Sequence, residues 1–174
     1  MCHDIGMTTI TLGGTPVTTV GTLPASGSTL PSFTLVSPEL KEVDSSSFKG
    51  KNVVLNIFPS VDTDVCSASV RRFNQIAEEL KDTVVVCVSK DLPFAQGRFC
   101  GAEGITNVVV GSAFRSSFGE DFGVTMTSGD LQGLLSRSIV VADRNGVVTY
   151  TQQVPDIKQE PDYDAARKAV EALA

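Results

Sequence analysis

Two apolar runs, residues 53–58 and 84–89, bracket an amphipathic segment at 66–80, and this alternation limits the fold of the chain more than any other feature. Val70, Phe73, Ile76, Ala77 and Leu80 recur at helical spacing, so that segment is expected to be a helix with one apolar face. The flanking runs are rich in valine and apolar almost without a break, as strands covered on both faces are. Strand, helix, strand in this order is a parallel crossover, which places helices over a sheet.

The remaining segments extend that frame. Residues 8–12 and 16–20 alternate around Gly13-Gly14 and predict an N-terminal β-hairpin. A Gly/Ser/Pro-containing connector at 21–30 leads to a short strand at 33–36 and a turn at 45–51. Further on come a helical or irregular segment at 93–100, a third short strand at 108–110 and a candidate helix at 112–122. Residues 138–143 and 147–152 flank Arg144-Asn145-Gly146, whose Asn-Gly is a strong hairpin signal. An alanine-rich helix at 163–173 closes the chain. The expected fold is an α/β, thioredoxin-like sandwich with an added N-terminal β-hairpin, residues 7–174 forming one domain. Residues 1–6 read as a leader or an appended extension, with Met7 as an alternative start.

Composition narrows the function. The 174 residues carry 20 acidic and 14 basic side chains, a net charge of −6, which argues against general nucleic-acid or anionic-membrane binding. No apolar run approaches the ~20 residues that span a bilayer. Four cysteines are too few for a disulfide-stapled secreted scaffold, and without a signal peptide a cytoplasmic location is expected. The single histidine, His3, lies in the extension, so a Cys–His dyad has no base and a histidine-containing zinc site no ligand. The cysteines show no CxxC pairing, and no metal binding is expected.

Chemistry concentrates in Pro59-Ser60-Val61-Asp62-Thr63-Asp64-Val65-Cys66. Cys66 stands where a strand ends and a helix begins, beside unpaired N–H groups and the positive end of the helix dipole. That setting favours the thiolate, the nucleophilic form of sulfur. Thioredoxin-type proteins place CxxC at such a junction; here Thr63 replaces the first cysteine, which excludes dithiol exchange through a vicinal pair.

The stretch resembles the peroxiredoxin pattern Pro-x-x-x-Thr/Ser-x-x-Cys. LNIFPSVDTDVC, SVRRFNQ, DLPFAQGRFCGAEG, SRSIVV and EPDYDAA together resemble thiol peroxidases of the atypical two-cysteine type, from about Met7 onward. The resemblance implies that Cys66 is the peroxidatic cysteine, attacking a hydroperoxide to become a sulfenic acid. It also implies that Cys100 is the resolving cysteine, forming an intrachain disulfide that thioredoxin reduces. Arg137 would hold thiolate and peroxide, Thr63 would hydrogen-bond the peroxide, and Pro59 would shield the pocket. Hydrogen peroxide and alkyl hydroperoxides are the implied substrates and a homodimer the implied assembly, with no metal, haem, flavin or nicotinamide cofactor needed. Disulfide geometry wants Cα atoms within ~7 Å, so local unwinding around Cys66 or Cys100 is expected.

The residues also admit plainer readings. Thr63 is a natural helix N-cap, its oxygen accepting the Cys66 N–H. Pro59 can simply end a strand, Arg137 can be a surface residue, and Cys100 a small buried hydrophobe. Cys87 reads as core, Cys2 is assigned nothing, and Phe94, Phe99 and Phe122 read first as core and second as an apolar entrance. Asp62 and Asp64 disfavour a nearby thiolate unless solvent screens them or Arg71 and Arg72 offset them. A one-cysteine peroxidase with Cys100 as bystander, and a peroxide sensor signalling through Cys66, remain open alternatives. Ionisation alone explains little: a free thiol is already a few per cent thiolate, so full ionisation gains at most ~30-fold, about 2 kcal/mol. The larger part must come from aligning the peroxide and stabilising charge on the leaving oxygen.

Overall fold

The computed structural model describes residues 7–174; Cys2, His3 and the rest of the extension lie outside them. The N-terminal hairpin pairs β1 (Thr9–Leu12) with β2 (Thr15–Thr18) antiparallel, as expected. β3 (Thr34–Val36) follows, then β4 (Glu42–Asp44), a strand the sequence reading did not anticipate, and a 3-10 turn at Ser45–Phe48. β5 (Asn52–Ile57), α1 (Asp64–Ala77) and β6 (Thr83–Ser89) form the expected crossover, with β5 and β6 parallel. α2 (Pro93–Glu103) is a regular helix ended by Gly104 at φ 64°, the left-handed conformation that glycine adopts most readily. β7 (Val109–Ser112), α3 (Phe118–Asp121), β8 (Ser138–Ala142), β9 (Val148–Gln153) and α4 (Tyr163–Glu171) complete the chain.

The candidate helix at 112–122 is reduced to the single turn of α3. Ser112 belongs to β7, and Phe118 and Phe122 turn inward to stack with centroids 4.2 Å apart. Phe33 meets both rings edge-on, so burial of three aromatics, not a helical face, organises this segment.

Seven strands form one sheet in the order β4-β3-β7-β6-β5-β8-β9, mixed in direction. All residues of β5 and β8 are buried, which explains why their apolar character hardly alternates. Val53, Leu55, Ile57, Val86, Val88 and Val140 face one way, onto the phenylalanine cluster. Val54, Val85, Ile139 and Val141 face the other, beneath Phe73 and Ile76 of α1 and Ala166 and Val170 of α4. At the end of the sheet where the parallel strands finish, Phe58, Cys66, Val70, Cys87 and Val110 form a third apolar cluster that Phe99 and Cys100 of α2 partly cover. Gly111 permits the approach of β3 to β7, since a Cβ there would lie 2.7 Å from Leu35.

Candidate active site

β5 carries the chain into the site, and Phe58 and Pro59 after it are buried. The next residues turn tightly: the Thr63 N–H and the Thr63 hydroxyl both donate to the Ser60 carbonyl at 3.2 Å. Thr63 stands at the N-cap of α1 with extended backbone, yet its side chain makes no capping bond. The expected cap to the Cys66 N–H is not formed; the hydroxyl instead turns back to the Ser60 carbonyl. As it donates there, the oxygen keeps lone pairs for another donor.

Cys66 is the third residue of α1 and fully buried. Asp62 and Asp64 are exposed, where solvent screens them. Arg71 pairs with Glu103 at 3.3 Å; Arg98, not Arg71, is the cation beside Asp62, at 3.4 Å.

Arg137 immediately precedes β8. The antiparallel register sets Ser138 opposite Ile57, which brings Arg137 to the end of β5 where the Cys66 loop departs. The side chain is 1% exposed, so it is no surface residue. Its Nη2 donates to Cys66 Sγ at 3.2 Å across 71 residues of sequence. Its Nε donates to the Ile157 carbonyl at 2.9 Å. Nη1 is buried without a hydrogen-bond partner among the described residues. A buried donor left unmade is costly, so this one is suited to an oxygen-bearing ligand beside the sulfur.

Residues the sequence reading missed hold Arg137 in place. The Gln153 amide donates to the Arg137 carbonyl at 3.0 Å and accepts from the Ser136 and Ser138 hydroxyls at 3.2 and 3.1 Å. The Ile157 N–H donates to the Thr11 carbonyl at 2.9 Å, tying the arginine's acceptor to the N-terminal hairpin. Beside it, the Asp156 carboxylate accepts from the Thr11 hydroxyl at 2.6 Å and from the N–H groups of Gly13, Gly14 and Lys158. These donors, the Thr11 hydroxyl foremost, hold Asp156 well below the usual carboxylate range. A backbone carbonyl acting as the acceptor leaves no mark in sequence, which is why Ile157 was invisible there.

Cys66, Cys87 and Cys100 are all free thiols. Cys87 is core, as expected; burial pushes its pKa up to about 12 despite an Asn56 amide at 3.7 Å. Cys100, half-buried on α2, is raised by burial and then by Glu39. Phe99 and Phe122 are packed in apolar clusters. Phe94 departs from expectation, at 68% exposure on the first turn of α2.

Residues 25–166 match the Redoxin family. The chain is 57% identical over 166 residues to a thiol peroxidase of Mycobacterium tuberculosis, covering 95% of this chain and all of that protein. It is likewise 57% identical over 157 residues to a thiol peroxidase of Corynebacterium glutamicum, covering 90% of this chain and 95% of that protein. Among solved structures, a peroxiredoxin-like protein from Aquifex aeolicus superposes with TM-score 0.92 at 39% identity, covering 97% and 99% of the two chains. The chain belongs to the thiol peroxidase family of peroxiredoxins. A peroxiredoxin is a peroxidase, and peroxide reduction is the activity of this enzyme. In this peroxiredoxin a buried sulfur lies beside a buried guanidinium, and in such a pair a thiolate can attack a peroxide oxygen while the guanidinium can donate hydrogen bonds to it.

Proposed function

We propose that the enzyme reduces hydrogen peroxide and alkyl hydroperoxides through an atypical two-cysteine cycle with thioredoxin as reductant. The Cys66 thiolate attacks the terminal peroxide oxygen, the O–O bond breaks, and the leaving oxygen takes a proton to become alcohol or water. Cys66 is left as a sulfenic acid. Cys100 sulfur then attacks Cys66 sulfur, water leaves, and a Cys66–Cys100 intrachain disulfide forms. The thioredoxin dithiol reduces it and is itself oxidised to a disulfide.

One observation carries this reading: Arg137 Nη2 lies 3.2 Å from Cys66 Sγ while the same guanidinium keeps a buried, unpartnered nitrogen. That nitrogen can donate to the peroxide as charge moves onto the leaving oxygen, where a preorganised donor contributes most. The Thr63 oxygen accepts the peroxide hydroxyl, and Pro59 closes the pocket wall. Cys100 supports the resolving step by packing against the apolar cluster that contains Cys66. The catalytic unit is one domain beginning at Met7, assembled as a homodimer, for which exposed Leu92 and Phe94 offer apolar surface. A reductant of this kind also favours a cytoplasmic setting.

Intact-mass analysis after one equivalent of cumene hydroperoxide, with peptide mapping under non-reducing conditions, tests the cycle. A loss of two mass units and a Cys66–Cys100 linked peptide are expected. A gain of sixteen or thirty-two units on Cys66, with Cys100 still free, would overturn the role given to Cys100.

A further inference from the structure

Asp91 lies just before the N-cap of α2, the helix that carries Cys100, and its carboxylate reaches across to the Cys66 loop. Oδ1 accepts from the Ser60 hydroxyl at 2.6 Å, and Oδ2 from the Val61 N–H at 2.8 Å. Oδ2 also accepts from the Ser89 hydroxyl at 2.6 Å. The Ser60 oxygen passes the tie along the loop by accepting the Asp62 N–H at 3.1 Å.

On its own side Asp91 is anchored. Its carbonyl accepts from the Ser112 hydroxyl at the end of β7, and its N–H donates to Ser89 at 3.4 Å. Gln96, fully buried in α2, donates to the same Ser89 oxygen at 3.0 Å and to the Gly111 carbonyl at 3.1 Å. The carboxylate therefore projects from a well-tied corner onto a loop whose other polar tie to α2, among the described residues, is the exposed Arg98–Asp62 pair. Exposed pairs of that kind hold little, whereas charge-assisted bonds to a carboxylate are the stronger sort.

We propose that Asp91 is a positioning residue, a latch that holds residues 60–66 closed over the peroxide pocket and sets how fast oxidised Cys66 escapes toward Cys100. Its consequence for the fate of Cys66 rests on the two-cysteine cycle above. With the loop closed, the sulfenate faces a second peroxide: Cys66–SO⁻ and ROOH give Cys66–SO₂⁻ and ROH. With the loop open, Cys66–SOH and Cys100–SH give the disulfide and water. Latch strength divides the two routes, so a tight latch favours peroxide attack and also over-oxidation.

Asp91→Asn keeps the shape and removes the charge, turning an acceptor of three bonds partly into a donor. Two readouts are taken. The first uses a Cys100→Ser background, where Cys66 is alkylated with a bulky maleimide and with methyl methanethiosulfonate. The ratio of the two rates reports opening and cancels changes in thiolate content. The second, with Cys100 present, is the peroxide concentration at which half of Cys66 becomes sulfinic acid during turnover with thioredoxin.

Asp91→Asn is expected to raise the alkylation ratio about tenfold, the order set by one charge-assisted bond. The half-inactivating peroxide concentration should rise with it, while the first peroxide reaction slows by less than about threefold because the closed loop still predominates. A general loss of structure would also raise the alkylation ratio by exposing buried Cys66, but it would slow the first peroxide reaction far more than about threefold, which separates it from an opened latch. Should Asp91→Asn fail to fold, Ser60→Ala deletes a single latch bond and should move both readouts the same way by about threefold. An alkylation ratio unchanged within about twofold overturns the latch whatever Cys100 does. A raised ratio in an enzyme that forms no Cys66–Cys100 disulfide upholds the latch and overturns the two-cysteine cycle instead.

Discussion

Cys66 and Cys87 are both fully buried in the same apolar cluster, yet their polar neighbours differ. Cys87 sits within β6, touched by one amide, and its thiol is held neutral by burial. Cys66 sits in the first turn of a helix with a guanidinium on its sulfur. The value of that guanidinium lies in its fork: Nη2 meets the sulfur, Nε is pinned by Ile157, and Nη1 remains free to donate. A lysine keeps the charge but cannot divide its donors in three fixed directions. Arg137→Lys should therefore lower kcat/KM for peroxide about 10²-fold, as loss of one preorganised donor does. Stopped-flow peroxide consumption checks it, and near-wild-type rates would remove Arg137 from the mechanism. Only the resemblance singles out Arg137; as an isolated arginine before a strand it reads more readily as a surface residue. Its burial follows from strand register, which no local pattern displays.

At the scale of elements, the N-terminal hairpin has a task that its own sequence does not announce. Its strand residue Thr11 exchanges backbone bonds with Pro155 and Ile157, and its turn glycines donate to Asp156. The hairpin thereby fixes the carbonyl that orients Arg137. Asp156 carries a depressed pKa in the folded state, so its contribution to stability is present above the unfolded value of about 4 and is lost as pH falls below it. Asp156→Asn should lower Tm at neutral pH, and the gap from the parent should narrow as pH falls from about 4 toward 2. Thermal melts across pH check this; a gap that stayed constant into the acid range would show that the carboxylate charge is not what holds the loop. Hairpin, crossover, Asn-Gly turn and terminal helix were legible because each is written in a local period or turn signal. The segment at 112–122 was misread, and β4 missed, because three-residue strands and a phenylalanine cluster carry too little periodicity to be seen.

Across the whole molecule, two segments converge on one end of the sheet. The Cys66 loop with the first turn of α1, and α2 with Cys100, both rest on the end of the sheet where β5, β6 and β7 finish. Oxidation should therefore loosen those pieces and leave the sheet alone. Hydrogen exchange of reduced and disulfide forms should show protection lost across residues 60–67 and 93–103, with β5, β6 and β8 unchanged; loosening spread through the sheet would contradict this division. Local patterning is enough to establish the order of the main elements and the cysteine at a strand-to-helix junction, because strand and helix periods and turn residues act over a few neighbours. Long-range packing alone brings Arg137 to Cys66, sets Asp91 on Ser60 and Val61, and ties a distant hairpin to the carbonyl that orients the arginine. Those contacts depend on pairing register and on backbone carbonyls far apart in the chain, and neither leaves a local pattern to read.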